Sequence, residues 1–422
     1  MKSRKLTCVA ALLLFAAVPT ALASTTWYVN GVSGRDSNNC KSLTAPCKTI
    51  GHAILLAASG DSIIVAEATY YEHLTIGKSL KVIGSGASTT IIDGVQSGTV
   101  VTISDTTAHV TLSKLTISDG KAPTTNFPWG SGFATRGGGI HNSGKLTLTN
   151  STVSGNWAPI PCVRVILYCD FIGGTALGGG IYNSGALIIS NSIISGNIAG
   201  GGCKETCSAF GGGIYNWGTV MISNSTLTSN SVGTACGSST TCQVGVGGAF
   251  FSYLGGIVTL NNSTVTGNSA YRCLKACSYT GSVIAGTLAM NSSTVSGNFA
   301  HGIVNGGTAT LQNSIVANNA GGNCAGAMTS NGYNLSSDGS CKFDGPGDMN
   351  DTDPLLGPLQ NNGGPTQTMA LFPESPAIDA GNPSGCTDGQ GHLLRTDQRG
   401  APRPDNEDKT GCDMGAYESQ SD

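Results

Sequence analysis

The sequence predicts an all-β protein, specifically a single-stranded right-handed parallel β-helix (solenoid) with an N-terminal capping helix and an irregular C-terminal cap. Three observations lead to this fold class. A motif of about 20 residues recurs along the chain, apolar and polar residues alternate inside each copy, and glycine or asparagine bounds each short apolar run. The fold must therefore be built from many short strands joined by tight turns.

The repeat is clearest in the middle of the chain. Successive copies read GGGIHNSGKLTLTNSTVSGN from Gly137, GGGIYNSGALIISNSIISGN from Gly178, GGGIYNWGTVMISNSTLTSN from Gly211 and GGAFFSYLGGIVTLNNSTVTGN from Gly247. Two eroded copies begin at Gly281 and Gly302. A unit this short buries too little apolar surface to offset the entropy of ordering its backbone, so the copies must stack on one another.

Within each copy the apolar residues have a period of two, which is typical of strands. Stacked coils place equivalent residues ~4.8 Å apart, so each strand is expected to pair in parallel with its counterpart in the next coil. A right-handed winding follows from the chirality of such crossovers. Asn142, Asn183 and Asn216 then lie over one another, which favours a ladder of side-chain hydrogen bonds, with ligand binding as the alternative.

The chain divides into three parts. Residues 1–23 combine a basic start, a short apolar run and the small-residue site Ala21-Leu22-Ala23, which is typical of a secretory signal peptide. Residues 24–345 form the predicted β-helix domain, with a capping helix at 46–59. Residues 346–422 form a C-terminal capping or anchor-associated segment, because nine of the fifteen prolines follow residue 345. We expect an exported protein, extracellular or at the cell surface (outer envelope), without a transmembrane segment in the mature chain.

Fourteen cysteines remain after the signal peptide and fall into neighbouring pairs, which predicts structural disulfides formed in an oxidising compartment. Zinc binding is the alternative, although the pairs lie far apart and lack partnering histidines. Four of the pairs lie in insertions at 157–177, 198–210, 231–246 and 269–280, which predicts crosslinked loops along one edge, either as binding elements or as protection from proteolysis. The pairs are Cys40 and Cys47, Cys162 and Cys169, Cys203 and Cys207, Cys236 and Cys242, Cys273 and Cys277, Cys324 and Cys341, and Cys386 and Cys412.

Several stretches carry a family resemblance. CKTIGHAILLAASGDSIIVAEATYYEHLTIGKSLKVIGSGASTTIIDG from Cys47, VTLSKLTISDG from Val110 and the repeats resemble bacterial exported right-handed parallel β-helix proteins of the pectin-lyase-like superfamily with polymorphic outer membrane protein-like repeats. SPAIDAGNPSGC, TDQRGAPRP and DMGAYE are similar to a choice-of-anchor Q-type C-terminal segment. The resemblance implies a surface protein. The chain ends at Asp422 without a sorting tail, which leaves anchoring and free secretion both open.

Charge and acid placement restrict the function. With a net charge of −3 and 11% charged residues there is no basic surface for nucleic acid. Between Gly137 and Ala320 the only acids are Asp170 and Glu205, so the carboxylates of a hydrolase or a calcium-dependent lyase are missing. A metal-free lyase remains as an alternative, and its candidate cluster is Arg136, His141, Lys145 and Tyr182. No catalytic residue, metal or cofactor is assigned, with calcium left open at Asp344, Asp348, Asn350, Asp351 and Asp353.

His141, Tyr182, Tyr215 and Phe251 occupy one position in four successive copies and are expected to point outward as an aromatic column. Such a column suits the flat faces of sugars, and the alternative is that the rings stack only to stabilise the sheet. The main functional prediction is a monomeric, non-catalytic protein that binds polysaccharide, cell-surface glycans or other surfaces in adhesion. The alternative is a carbohydrate-active enzyme, a polysaccharide lyase or a glycoside hydrolase, of the pectin-lyase-like fold.

Overall fold

A computed structural model describes residues 24–126, 133–160, 163–165, 168–170, 174–201, 208–234, 244–253, 255–270, 281–405 and 411–420. The predicted signal peptide at 1–23 lies outside these residues. Within the described part the chain winds into a right-handed parallel β-helix, as the sequence predicts. No helix in these ranges is long and apolar enough to cross a membrane.

The largest sheet has 18 strands, two from most coils, and runs the length of the solenoid. Its strands are Thr26–Val29, Ser62–Val65, Leu74–Ile76, Leu80–Ile83, Val101–Ile103, His109–Ser113, Ile140–Asn142, Lys145–Thr149, Ile181–Asn183, Ala186–Ser190, Ile214–Asn216, Thr219–Ser223, Phe250–Ser252, Ile257–Asn261, Gly281–Asn291, His301–Gln312, Cys324–Ala325 and Thr329–Ser330.

A ten-stranded sheet forms the next side of each coil, again with parallel pairing. Its strands are Ala68–Tyr71, Thr90–Asp93, Thr116–Ser118, Thr152–Ser154, Ile193–Ser195, Thr226–Thr228, Thr264–Thr266, Thr294–Ser296, Ile315–Ala317 and Leu335–Ser336.

Two smaller sheets include the ends of the predicted insertions, so the first and last residues of 157–177, 198–210 and 231–246, and the first two of 269–280, continue the coils as strands and are not loop. The four-stranded sheet contains Trp157–Ala158, Ile198–Gly201, Ser231–Thr234 and Ser269–Ala270. The five-stranded sheet contains Thr124–Asn126, Phe133–Arg136, Gly174–Leu177, Ser208–Phe210 and Val244–Val246. Three antiparallel pairs join Thr124–Asn126 with Phe133–Arg136 inside the five-stranded sheet, Val163–Val165 with Tyr168–Asp170, and Leu356–Gln360 with Thr368–Leu371.

The repeat register explains the core. Ile140 pairs with Ile181, which pairs with Ile214, which pairs with Phe250, and all four side chains are buried inside the solenoid. Each inward residue thus contacts the equivalent residue of the coils above and below. Burial of aliphatic side chains at ~1.5 to 3 kcal/mol each accumulates only because the coils share one continuous core.

The asparagine ladder predicted from the sequence is present. Asn142 Nδ2 donates to Asn183 Oδ1 at 2.7 Å, Asn183 Nδ2 donates to Asn216 Oδ1 at 2.8 Å, and the ladder ends on Ser252 Oγ at 3.1 Å. The three asparagines are fully buried. Each amide also donates to a turn carbonyl, as Asn183 does to that of Gly185 at 3.1 Å. The ladder therefore satisfies the buried backbone of this corner.

The N-terminal helix is shorter than expected, because it spans Ile50–Leu56 rather than 46–59. Cys47 forms an isolated β-bridge with Val29 of the first strand, so the chain is not helical at this position. Thr49 then caps the helix by accepting a hydrogen bond from the His52 amide at 3.2 Å. The buried helix residues Ile50, Ala53 and Ile54 belong to the main core and cover the N-terminal end of that core.

The composition of the C-terminal segment suggested a cap on the last coil, but the segment extends over several coils. It lies against the ten-stranded sheet, where Gln398 bonds to Thr226 and Thr264, and the Ala416 amide donates to Thr294 Oγ1 at 3.0 Å. Arg403 Nη1 donates to Asn262 Oδ1 at 2.8 Å. An apolar cluster seals this contact through Ile315, Ala317, Leu335, Leu371, Ala377 and Met414.

Three of the predicted disulfides are present, Cys40–Cys47, Cys324–Cys341 and Cys386–Cys412. The cysteines of the other four pairs lie outside the side chains that the structure describes. Within those ranges the only cluster of potential metal ligands is Cys40, Cys47 and His52, in which the two thiols are already joined. In the acidic run from Asp344 to Asp353, the Asp348 carboxylate accepts hydrogen bonds from the backbone amides of Asn334 and Gly345 and so stabilises the local backbone.

Candidate functional site

Three columns of side chains run along one side of the solenoid, each with one residue per coil. The first consists of the last residues of strands in the five-stranded sheet, where Arg136 pairs with Leu177 and Leu177 with Phe210. Because the strands are parallel and in register, these side chains form one continuous wall. Along the solenoid axis this wall changes from the positively charged Arg136 to the apolar Leu177 and Phe210.

The second column is the one predicted from the sequence. His141 pairs with Tyr182, Tyr182 with Tyr215, and Tyr215 with Phe251, and the preceding coil contributes Thr102. None of the four residues belongs to the main core cluster, but Tyr215 is buried and not exposed as the outward-pointing column predicted. The rings stack on one another: Tyr182 and Tyr215 are 5.4 Å apart with planes 2° from parallel, and Tyr215 and Phe251 are 5.6 Å apart at 22°.

The third column follows the asparagine ladder. The amides of Ser184, Trp217 and Tyr253 donate to the ladder residues of the preceding coil, which fixes their register. The Trp217 and Tyr253 rings stack at 4.7 Å, and their exposed fractions are 43% and 42%. Tyr215 by contrast is only 4% exposed. The accessible aromatic surface therefore belongs mainly to the third column.

A glycine turn folds the first column against the second. Gly178 has φ of 68°, and a Cβ placed there would lie 2.1 Å from the carbonyl oxygen of Ile181. Gly137 and Gly211 have the same conformation, with φ of 61° and 66°. Only glycine tolerates both the left-handed backbone and this close approach. The second column forms the floor that adjoins the wall of the first column. The repeated GGG therefore places a wall residue such as Arg136 beside a floor residue such as His141.

Together the three columns enclose an open groove of about 850 Å³. It is lined by Arg136, His141, Thr175, Leu177, Tyr182, Ser184, Ser208, Phe210, Tyr215, Trp217, Phe251 and Tyr253. A second cavity of about 270 Å³ adjoins it and shares Arg136 and His141. Its other lining residues are His73, Gly98, Thr99, Thr102, Pro123 and Thr125. Arg136 and His141 thus lie where an aromatic compartment and a more polar compartment meet.

The electrostatics of the groove depend on Arg136. Its Nη1 donates to Thr125 Oγ1 at 2.8 Å, and its guanidinium carbon lies 5.8 Å from the centre of the Tyr182 ring. Burial, reinforced by Arg136, lowers the pKa of His141, so this imidazole is neutral at pH 7. Burial raises the pKa of Tyr182, although Arg136 partly opposes the shift, and it raises the pKa of Tyr215 as well. Both phenols therefore stay protonated.

The structure brings together most of the residues that the sequence singled out. Arg136, His141 and Tyr182 are neighbours, and the His141 and Tyr182 rings are 4.9 Å apart in an edge-to-face arrangement. Lys145 lies on the next strand, exposed, and does not line the groove. The described lining residues include no carboxylate, while the side chains of Asp170 and Glu205 lie outside the described part of the chain.

Seven groove residues were not predicted from the sequence, namely Thr175, Leu177, Ser184 and Ser208 and the three aromatic residues Phe210, Trp217 and Tyr253. A signal for the last two was present in the repeat, because they replace the serine that follows the ladder asparagine in the earlier copies, Ser143 and Ser184. Phe210 directly precedes a GGG run, as Arg136 and Leu177 do. The position before the glycine turn is therefore a wall position in every such coil.

No protein-family model and no curated protein matches the sequence. Among solved structures the chain is similar to pectate lyase Pel9A, with 14% identity, 94% of this chain and 97% of that chain covered, and a TM-score of 0.43. XylC in complex with xylose shares 10% identity over 93% of this chain and 98% of that chain, with a TM-score of 0.41. Pectin methylesterase PemA from Erwinia chrysanthemi shares 12% identity over 84% and 87%, with a TM-score of 0.32.

These likenesses concern the fold alone. Two of the three names, a pectate lyase and a pectin methylesterase, are those of carbohydrate-active enzymes.

Proposed function

We propose that this protein is exported and binds a carbohydrate polymer in the groove. The observation that carries the proposal is the exposed Trp217–Tyr253 stack, which faces the same cavity as Arg136. Aromatic rings bind the apolar faces of sugars, while a guanidinium binds hydroxyl or carboxylate groups. Hydroxyls of Thr175, Ser184 and Ser208 line the same space and supply further hydrogen bonds.

The length of the groove favours a polymer over a single sugar. Arg136 and Tyr253 belong to coils that are three steps apart, which is about 14 Å at ~4.8 Å per coil. The second cavity extends the groove by a further coil through Thr102. A chain lying along the solenoid axis contacts all of these coils at once.

Binding to a panel of neutral and acidic polysaccharides, measured by calorimetry, tests this proposal. We expect the Trp217→Ala and Tyr253→Ala variants to bind about tenfold more weakly, equal to about 1.4 kcal/mol for each lost ring. Tyr71→Ala is the matched control, because Tyr71 is an exposed tyrosine outside the groove. Unchanged binding in the groove variants, or no binding by the wild type, would contradict the proposal.

A second candidate function is β-elimination on a uronic-acid polymer, and the convergence of Arg136, His141 and Tyr182 favours it. Arg136 would hold the substrate carboxylate. Neutral His141 would take the proton from the adjacent carbon, the glycosidic C–O bond on the next carbon would break, and protonated Tyr182 would donate to the leaving oxygen. The products are an unsaturated uronate and a new chain end, and solvent then takes the proton from His141 and supplies one to Tyr182.

Ultraviolet absorbance of the unsaturated product tests this candidate on acidic polysaccharides. Tyr182→Phe keeps the ring stack and removes only the hydroxyl, so elimination is expected to fall ~100-fold or more. Tyr215→Phe makes the same change one coil away and serves as the control. Absence of new absorbance in the wild type would refute elimination and leave the binding proposal intact, and release of reducing sugar without absorbance would indicate hydrolysis.

A further inference from the structure

Beyond Arg136 the wall of the groove becomes apolar. Leu177 follows Arg136 and Phe210 follows Leu177, one residue per coil, and the Phe210 ring lies 4.8 Å from the Phe251 ring at 48°. None of these three side chains carries a hydrogen-bonding group. A sugar hydroxyl buried against them, and out of reach of the Thr175 and Ser208 hydroxyls, would lose its hydrogen bond to water without replacement, which costs free energy. This apolar patch therefore suits an apolar substituent better than a bare hydroxyl.

Stacking of the floor rings strengthens this point. Tyr182, Tyr215 and Phe251 cover one another's faces, so they present mainly ring edges to the cavity. Trp217 and Tyr253 also stack on each other, but they are 43% and 42% exposed, so the third column offers more ring surface to a sugar. The Phe210 ring contacts the Phe251 ring, so Leu177, Phe210 and Phe251 form one apolar patch of the groove surface, which suits contact with a small apolar group.

The end of the groove beside Arg136 has the opposite character. The small cavity beyond Arg136 is lined by His73, Thr99, Thr102 and Thr125, all of which have hydrogen-bonding side chains. Arg136 lies between the two compartments, and among the lining residues that the structure describes it is the only one with a full charge at pH 7. A ligand that fits both compartments is therefore polar at one end, anionic in the middle and apolar in the part that contacts the patch.

We propose that the groove selects an acidic glycan that carries O-acyl substituents. Arg136 binds a sugar carboxylate, the Trp217–Tyr253 pair stacks on a sugar face, and Leu177, Phe210 and Phe251 contact an acyl group. This inference rests on the proposed function, because it specifies which carbohydrate the same groove takes. Removal of the acyl methyl group from water supplies the discrimination.

The test uses three uronate polymers, namely polygalacturonate, alginate and hyaluronate, each compared with a chemically O-acetylated preparation of the same polymer. The wild type is expected to bind at least one acetylated polymer about fourfold more tightly than its parent, the factor that corresponds to ~0.8 kcal/mol for one buried methyl group. Phe210→Ser is expected to remove this difference, while Leu393→Ser, a polar replacement of an exposed leucine outside the groove, keeps it. Circular dichroism and thermal unfolding establish that each variant is folded.

The outcomes separate the two proposals. Equal binding of acetylated and parent polymers by the wild type would overturn the acyl inference and leave the proposed function standing. Tight acetyl-dependent binding that survives in Phe210→Ser would overturn the assignment of the acyl group to this apolar patch. If the wild type binds none of the six preparations, the acyl inference falls, and binding of a neutral polysaccharide decides separately whether the proposed function survives.

Discussion

Single residues decide what the groove of this solenoid presents. Trp217 and Tyr253 replace the small serines of earlier coils, and this exchange at one repeat position creates the exposed aromatic stack. Tyr182 and Tyr215 were the residues that the repeat brought to notice, yet their faces cover each other. Whether the predicted column binds sugars or only supports the sheet is tested by comparing variants of the two columns.

The ladder asparagines set the stability of their corner, and Asn183 is the central member. Asn183→Ala removes its hydrogen bonds to Asn216, Gly185 and Thr219 and leaves buried acceptors without a donor. We expect a loss of about 3 kcal/mol in the free energy of unfolding. Denaturant titration of this variant beside Ser184→Ala, an exposed neighbour, measures the effect; equal stabilities would contradict the role of the ladder.

Glu418 makes the C-terminal segment sensitive to pH. Burial raises the pKa of this carboxyl to about 8, although Arg403, whose Nε donates to it at 2.7 Å, partly opposes the shift. A carboxyl whose pKa is raised on folding contributes stability that is complete below its unfolded value near 4.5 and is lost as pH rises through about 8. Folding thus favours the protonated form.

Thermal unfolding between pH 5 and pH 9 measures this dependence. The wild type is expected to lose stability as pH rises across this window, and Glu418→Gln, which stays neutral, is expected to show a weaker decline. Arg403 and Asp413 are the charged groups that face Glu418, so the comparison of the two proteins isolates one titration. A steeper decline in the variant would reverse the assignment.

At the scale of elements, the glycine turn decides the shape of the groove. The turn redirects the chain from the five-stranded sheet into the 18-stranded sheet within a few residues, and so sets the first column beside the second. The short strands on either side of the turn do not by themselves fix how the two columns are placed. Their placement depends on the left-handed glycine that joins them.

Gly178→Ala tests this turn. The added Cβ would meet the Ile181 carbonyl and the residue would have to keep a left-handed backbone, so we expect a loss of roughly 3 kcal/mol or more. Gly233→Ala is the control, because nothing lies within 4 Å of a Cβ built at Gly233. Chemical unfolding of both variants compares the two positions, and similar losses would show that close packing at the turn is unimportant.

For the whole molecule, the C-terminal segment packs across several successive coils that are far from it in sequence. Gln398 contacts strands of the ten-stranded sheet more than 130 residues away, at Thr226 and Thr264. A solenoid is otherwise stabilised between neighbouring coils only. The segment therefore couples several coils and shields the threonines that would form the outer surface of that sheet.

Gln398→Ala tests this coupling. Loss of the buried amide leaves the Thr226 and Thr264 hydroxyls short of partners, and a destabilisation of about 2 kcal/mol is expected. Hydrogen exchange is expected to rise in the strands around both threonines. Gln390→Ala changes an exposed glutamine of the same segment and should leave exchange unaltered; protection that is equal in both variants would argue against the coupling.

The sequence by itself determined the repeat, the strand register, the core positions and the asparagine ladder, because each depends on residues that recur in every copy. It also determined the three disulfides described, because each joins neighbouring cysteines. Only the tertiary structure decided which aromatic faces stay open, how Arg136 meets His141, where the capping helix begins and which coils the C-terminal segment covers. These features arise from contacts between residues with no shared periodicity. Repetition specifies the stack of coils, whereas close packing of its irregular parts specifies the groove.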